Sequence, residues 1–418
     1  MTASPGVPAR VPGEGWQNAR HFGADPSGAA DSTAAIQAAL SAGAGGTYAY
    51  LPKGRYVVSA PLTISGPGLV GDGNGSQLLW DQAVVGTLVR ASSAAAHQYV
   101  SIRDVRLSQT NPTPGGTAID ASAFQFSRIE RVLIDKADSG AHPSIGVDYN
   151  NGITHYNVLR DCVINVDGRN AIGVRYSGGA NSNVLENCRI LPSTTDASQI
   201  GIYVNAYAIE LDHPDIESVA GTAIVLDAGA TSNRPTQLIA PYLENPNGTD
   251  IAVINGGCPP AMGSGRFTLT KRALTARASS ATVAQDPDLG FRMLPSRVYG
   301  FRFMLIYDGP GSAAADLTMS LIAQGMPALV QWTVTGLALA SLTAPQGQMT
   351  ARIAQAAGTA VSVPTAGVGA RTAAVAFAEG LVGPGAGGTF ALQWAQRVAN
   401  PTPTTLYAGS TLTVEQVS

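Results

Sequence analysis

The chain has 418 residues, room for two or three domains, with a formal net charge of −3 and only 13% charged residues. No basic patch argues for nucleic acid, and no apolar run approaches the roughly 18 residues of a membrane span. The basic and then apolar pattern of a signal peptide is also missing from the N-terminus.

Residues 1–19 are rich in Pro, Gly and Ala and read as an extended arm. A short amphipathic helix follows over 32–42. Asp31 or Ser32 can cap it, because a side-chain oxygen there accepts from the free N–H groups of the first turn. Ile36 and Leu40 share one face, and Gly43 is the expected stop. After Gly45-Gly46 come strands at Thr47–Leu51 and from Val57.

The rest of the first half is repetitive. Ile102, Val105 and Leu107 set a template of apolar residues at offsets 0, +3 and +5. It recurs from Ile129, Leu159, Leu185, Leu211 and Leu238, in steps of 26–30 residues. A second series lies between these, at Ile119-Asp120, Ile145-Gly-Val147-Asp148, Ile172-Gly-Val174-Arg175 and Ile200-Gly-Ile202-Tyr203. Short strands on a fixed period describe a β-solenoid, since one coil cannot bury its own apolar face and stacked coils share a core. Coils of this length suit a three-sided parallel β-helix. Cys162 and Cys188 hold the same inward slot of successive coils and are expected as stacked core thiols.

The breaker cluster Gly256-Gly257-Cys258-Pro259-Pro260 ends the coils. Longer alternating strands follow, the clearest with Tyr299, Phe301, Phe303, Leu305 and Tyr307 on one face. Further candidates at 267–269, 317–322, 329–334, 373–378, 390–394 and 412–417 suggest an antiparallel β-sandwich or jelly roll. The expected divisions are an arm at 1–19, a capped β-helix at 20–258 and a C-terminal sandwich at 261–418.

Residues 20–80, with His21-Phe-Gly-Ala-Asp25-Pro-Ser-Gly28, the helix, Gly45-Gly46 and Gly71-Asp-Gly73, closely resemble the opening of the pectate-lyase-like superfamily of right-handed β-helices. That module recurs in phage tail spikes and fibres and in polysaccharide lyases and hydrolases. The resemblance implies that the helix covers the open end of the solenoid. The stretches Leu269–Ser280 and Phe390–Val417 look like C-terminal modules of phage tail fibres. Together they imply a virion protein of the phage tail, assembled in the host cytoplasm. The implied partners are a host cell-surface glycan, two further copies in a homotrimer, and other tail proteins bound through the N-terminal arm.

Chemistry must sit on outward positions, which form ladders about 4.8 Å apart. Arg103, Glu130, Arg160 and Glu186 alternate in sign and read as a ladder fixing coil register. Asp120, Asp148, Arg175 and Tyr203 form a second one. Carboxylates on neighbouring coils would lie about 5 Å apart, the separation of a retaining glycosidase pair, so Asp120 and Asp148 are the candidate catalytic residues. Arg175 can instead steady a substrate carboxylate with Tyr203 as proton donor, or simply neutralise Asp148. Tyr149, Tyr176 and Tyr203 are candidate sugar-stacking residues. Asn165-Val-Asp167 only faintly resembles a polygalacturonase motif, whose other elements are missing. No cofactor is expected, and no His/Cys cluster has zinc spacing. Three readings follow: a phage receptor-binding protein with or without depolymerase activity, a bacterial polysaccharide lyase or glycoside hydrolase, and a purely structural fibre component.

Overall fold

The computed structural model describes residues 15–417 except 81–85, 113, 138–140, 193–195, 218–219, 231–235, 245–248, 256–259, 265, 272, 310–316, 324–328, 338–348, 355–360, 364–373, 384 and 387. Most of the arm at 1–19 and most of the breaker cluster, with Cys258, therefore lie outside the described residues. The chain forms two compact units, residues 1–199 and 200–418. Among the described residues no helix is long and apolar enough to cross a membrane.

In the first unit, short strands stack in parallel on three faces. On one face Ser101–Arg103, Arg128–Glu130, Val158–Arg160 and Val184–Glu186 pair in register, so that Ile102, Ile129, Leu159 and Leu185 form one file. All four are buried. Arg103, Glu130, Arg160 and Glu186 fall into register as the charge ladder, with Arg160 Nε donating to Glu186 at 2.8 Å. Two residues after each lead residue the chain turns through a left-handed conformation, at Asp104, Arg131, Asp161 and Asn187. This allows the next apolar residue to point inward again on the second face. Asn and Asp tolerate that conformation best, and side chains stitch the corner from coil to coil. Arg131 donates to both oxygens of Asp104 at 2.7 and 2.8 Å, and Asn187 donates to Asp161 at 2.7 Å.

A second corner precedes the lead strand. Tyr99, Phe126, Tyr156 and Ser182 are left-handed there, and each is followed by a buried residue. Three of those are polar and form a ladder. Asn157 Oδ1 accepts from Ser127 N at 2.9 Å, and its Nδ2 donates to Phe124 O and to Asn183 Oδ1. Asn183 Nδ2 donates in turn to Thr154 O. Corner backbone groups that have no strand partner are satisfied inside the solenoid by these amides.

The cap is a helix at Thr33–Ala42 that buries Ile36, Ala39 and Leu40. Asp31, rather than Ser32, supplies the cap contact, accepting from Thr33 N at 2.9 Å. The α-helix ends at Ala42 with Gly43 as its C-cap, the stop expected from the sequence. The chain continues through a 3-10 turn, Gly43–Gly45, and stops at left-handed Gly46. Gln37 acts as a surrogate strand, with Thr63 N donating to its Oε1 at 2.9 Å and its Nε2 donating to Thr63 O at 3.0 Å. The exposed edge of Leu62–Ile64 is thereby occupied, which discourages edge-to-edge association.

In the second unit three coil strands, Ile200–Val204, Thr222–Leu226 and Thr249–Val253, lead directly into antiparallel structure. Arg266–Thr270 pairs in parallel with Thr249–Val253 and antiparallel with Thr411–Gln416. Coil sheets thus continue into a sandwich without a break in hydrogen bonding. One sandwich sheet contains Tyr299–Asp308, Ala374–Gly383 and Leu329–Leu337; the other contains Ala284–Met293, Gly388–Gln396 and Leu317–Ala323. Phe390 from one meets Phe301 and Phe303 from the other, with ring centroids 4.7 and 6.2 Å apart, and Phe291 meets Tyr299 at 5.2 Å. Tyr299, Phe301, Phe303, Leu305 and Tyr307 are all buried, as their alternation requires. Ala284–Met293 escaped the sequence reading because Pro287 and two acidic residues interrupt its apolar pattern.

Replacing Asn157 with Leu strands Ser127 N and Phe124 O, while Asn183 Oδ1 keeps the backbone N–H of residue 157. It is expected to cost about 2–4 kcal/mol in urea unfolding, and a loss below about 1 kcal/mol would refute the ladder's role. Asp250, beside Ile251 on the last coil strand, has its carboxyl raised by burial to about 6. The folded value exceeds the unfolded one, so its contribution to stability is present below about pH 4 and lost as pH rises through about 6. Asp250→Asn should therefore be more stable than the wild type at pH 7, with the gap in urea midpoint closing towards pH 4. A gap independent of pH would contradict this.

Candidate functional site

The third face of the first unit carries the second ladder. Leu62–Ile64, Thr87–Ala91, Thr117–Asp120, Ile145–Asn150 and Ile172–Ser177 stack in parallel. Their register aligns Thr63, Arg90, Asp120, Asp148 and Arg175 in one file. The file thus runs neutral, positive, negative, negative, positive. Asp148 is nearly buried and is held by Arg175, whose Nε reaches Oδ1 at 2.8 Å and whose Nη2 reaches Oδ2 at 2.5 Å. A bidentate pair of this kind fixes both side chains.

Asp120 and Arg90 behave differently. Asp120 Oδ1 accepts only the local N–H of Ser122, at 3.0 Å. Arg90 is exposed, and neither residue has an ion-pair partner among the described residues. Both line a cleft of about 350 Å³ together with Thr63, Ser92, Ser122 and Asn151. Asp148 and Arg175 are not among the lining residues. The candidate pair Asp120 and Asp148 is adjacent in register, yet the cleft presents one carboxylate and one guanidinium rather than two carboxylates. Such a site can bind an anionic sugar through Arg90 while Asp120 accepts hydroxyl hydrogen bonds or a proton. Arg90 was legible in principle, since it follows buried Val89 as Asp120 follows Ile119, one coil before the recognised series.

The tyrosines divide. Tyr149 and Tyr176 were expected to meet sugar rings, and the structure corrects this: they are 1% and 0% exposed and stack on each other inside the solenoid, 5.1 Å apart and 5° from parallel. Residues alternate across a strand, so Tyr149 and Tyr176 point opposite to Asp148 and Arg175. Burial raises both phenols well above their ordinary range, and neither hydroxyl has a hydrogen-bond partner among the described residues. Tyr203 lies in the second unit, where its hydroxyl donates to Asp227 at 2.5 Å. Burial pushes the Asp227 carboxyl up, but the bonds from Tyr203, Ala228 N and Asn255 outweigh it and the net direction is down.

A surface feature absent from the second ladder lies at the left-handed corner. Tyr99, Phe126 and Tyr156 are 68%, 39% and 55% exposed and form a file of rings with centroids 5.7 and 5.1 Å apart. Each sits three residues before a lead residue, so aligning the repeats would have revealed it.

Residues 16–210 match the family model described as rhamnogalacturonase A/epimerase, pectate lyase-like. The pectate-lyase-like β-helix read from the opening motif is thus the fold of this segment. No curated protein matches the sequence. Among solved structures, the chain is similar to the Agl-KA catalytic domain at 14% identity and a TM-score of 0.42, over 63% of this chain and 49% of that one. The chain therefore spans about half the length of that relative. It is also similar to the tailspike of Acinetobacter baumannii phage AM24, at 9% identity and a TM-score of 0.31, over 96% of this chain and 83% of that one. A third similarity is to the enzymatically active domain of bacteriophage CBA120 tailspike protein 4, at 10% identity and a TM-score of 0.38, over 97% and 68%.

Tyr149→Phe and Tyr176→Phe remove buried hydroxyls without partners and keep the ring stack. Each is expected to leave the melting temperature unchanged or raise it, by up to about 1 kcal/mol in stability. A marked destabilisation in a thermal melt would show that the hydroxyls are satisfied.

Proposed function

We propose that this chain is a phage tail-spike or tail-fibre protein whose β-helix binds an acidic polysaccharide of the host surface. The observation that carries the reading is the cleft on the third face, where Arg90 and Asp120 stand exposed to a ligand and unpaired beside the closed Asp148–Arg175 pair. An anionic sugar would satisfy Arg90 through a charge-assisted pair, the type of contact that fixes carboxylate orientation. The family model matched by residues 16–210 is described by enzymes of polysaccharides, which is consistent with a sugar ligand.

Cleavage is a second step of the same reading. With a uronate carboxylate on Arg90, Asp120 is placed to take the proton next to that carboxylate, the first event of a lyase. Hydrolysis would instead enlist Asp148 beside Asp120, which requires Arg175 to release it. In this proposal residues 1–19 form the arm that joins other tail proteins, 20–258 the glycan-binding solenoid, and 261–418 a sandwich that holds a homotrimer in the virion. Tyr203, bound to Asp227, would act as a support rather than a proton donor.

The test is incubation with acidic and neutral host-envelope polysaccharides, reading both retention and oligosaccharide release. Acidic polysaccharide is expected to be retained, and Arg90→Ala should weaken retention at least tenfold. Asp120→Asn should abolish any release while sparing most of the binding. Equal retention of neutral glycans, or an Arg90→Ala variant that binds as the wild type does, would sink the proposal. Light scattering of the same preparation should give three times the chain mass.

A further inference from the structure

The sandwich contains a cluster that the glycan reading does not use. Lys271 and Asp286 face each other with no exposed side-chain surface on either. Lys271 Nζ lies 2.9 Å from Asp286 Oδ2 and 3.2 Å from Oδ1, and 3.3 Å from Oδ2 of a second carboxylate, Asp288. The Asp286 carboxylate is gripped on its other sides as well. Its Oδ1 accepts from the backbone N–H groups of Asp288 at 3.0 Å and Leu289 at 3.2 Å, and its Oδ2 accepts from Trp394 Nε1 at 3.1 Å. Arg277 stacks over the Trp394 ring, 4.1 Å from its centroid. The backbone around Lys271 is pinned too, by Lys271 N to Ser410 O and Gly409 N to Lys271 O.

We propose that Lys271 and Asp286 condense to an intramolecular amide that cross-links the strand Arg266–Thr270, through the residue that follows it, to the strand Ala284–Met293. Four features point to this chemistry. Amine and carboxyl are held in contact with no side-chain surface exposed, the near-attack arrangement that replaces a bimolecular encounter. Two backbone N–H groups on Oδ1 stand where negative charge develops when Nζ adds to Cγ, as an oxyanion hole does. Asp288 touches Nζ and keeps a little exposed surface, so it can relay protons. Finally, two buried opposite charges carry a desolvation cost that the amide does not.

The atoms balance within the cluster. The ammonium nitrogen gives up two protons and bonds to Cγ. Both protons pass by way of Asp288 to Oδ2. The Cγ–Oδ2 bond breaks, one water leaves, and Cγ=Oδ1 with Nζ–H remain. No oxidant, reductant or external co-reactant takes part.

The experiment is intact-mass and peptide mass spectrometry on the purified full chain. The expected result is a mass about 18 Da below that of the sequence, with trypsin leaving residues 267–272 joined to residues 278–292. A deficit of one water without the joined peptides would mean a cyclised aspartate elsewhere, and would overturn the proposal. So would the full sequence mass. Asp286 itself cannot cyclise onto the next nitrogen, because residue 287 is proline. Lys271→Met and Asp286→Ala should each return the full mass. If both fail to fold, the wild-type peptide map still decides. Asp288→Asn should slow appearance of the joined peptides at least tenfold in newly synthesised chain sampled over time, and an unchanged rate would remove Asp288 from the mechanism.

Discussion

Everything in the first unit depends on a left-handed turn placed two residues after an inward apolar side chain. Asp104, Arg131, Asp161 and Asn187 all adopt it, and His213 and Ala240 do so in the second unit. A non-glycine residue there costs about 1–2 kcal/mol, so the conformation persists only where its surroundings favour it. Here the return is the burial of the two apolar residues that flank the turn, one on each face. Each coil thus makes its corner at the same place, and each strand lands in register on the strand before it. Carboxylate, amide and guanidinium side chains at the corner then bond from coil to coil, as Arg131 does to Asp104.

That regularity divides the molecule into an inside with little freedom and an outside with much. Inward slots hold a narrow set of solutions: aliphatic files, the Cys162 and Cys188 thiols, the Tyr149–Tyr176 stack and the Asn157–Asn183 amide ladder. Outward slots vary without penalty to the coil. The same file can therefore hold a closed ion pair at Asp148 and Arg175 and, one and two coils away, an open carboxylate and guanidinium at Asp120 and Arg90. The residues that follow these strands, Ser92, Ser122 and Asn151, form part of the lining of the cleft.

The second unit solves a different problem. Its coil sheets run on into antiparallel sheets through Arg266–Thr270 and Ala261–Ser264. An aromatic cluster, rather than coil stacking, fills the space between the sandwich sheets. The buried Lys271–Asp286 contact lies at this transition, where the strand Ala284–Met293 shifts register against Gly388–Gln396. Two charges in such a place need every hydrogen bond the neighbourhood can offer, and Asp288 N, Leu289 N and Trp394 Nε1 supply them.

The amino-acid sequence alone determined the solenoid, its period, its helical cap and the alternating sandwich strands. All of these follow from where apolar side chains must be hidden, and burial leaves a periodic trace at Leu159, Leu185 and their equivalents. The register of the two outward ladders was legible for the same reason, since inward files fix outward ones. Sequence could also have assigned Tyr149 and Tyr176 to the interior, because they adjoin outward Asp148 and Arg175 on alternating strands. What it could not decide was pairing. Whether Asp148 joins Asp120 or Arg175, whether Arg90 stands free, and whether Lys271 meets Asp286 depend on side-chain placement across chain separations that carry no periodic signal. Only the tertiary structure brings those atoms within hydrogen-bond distance, and that distance sets which charges are closed and which remain open to a ligand.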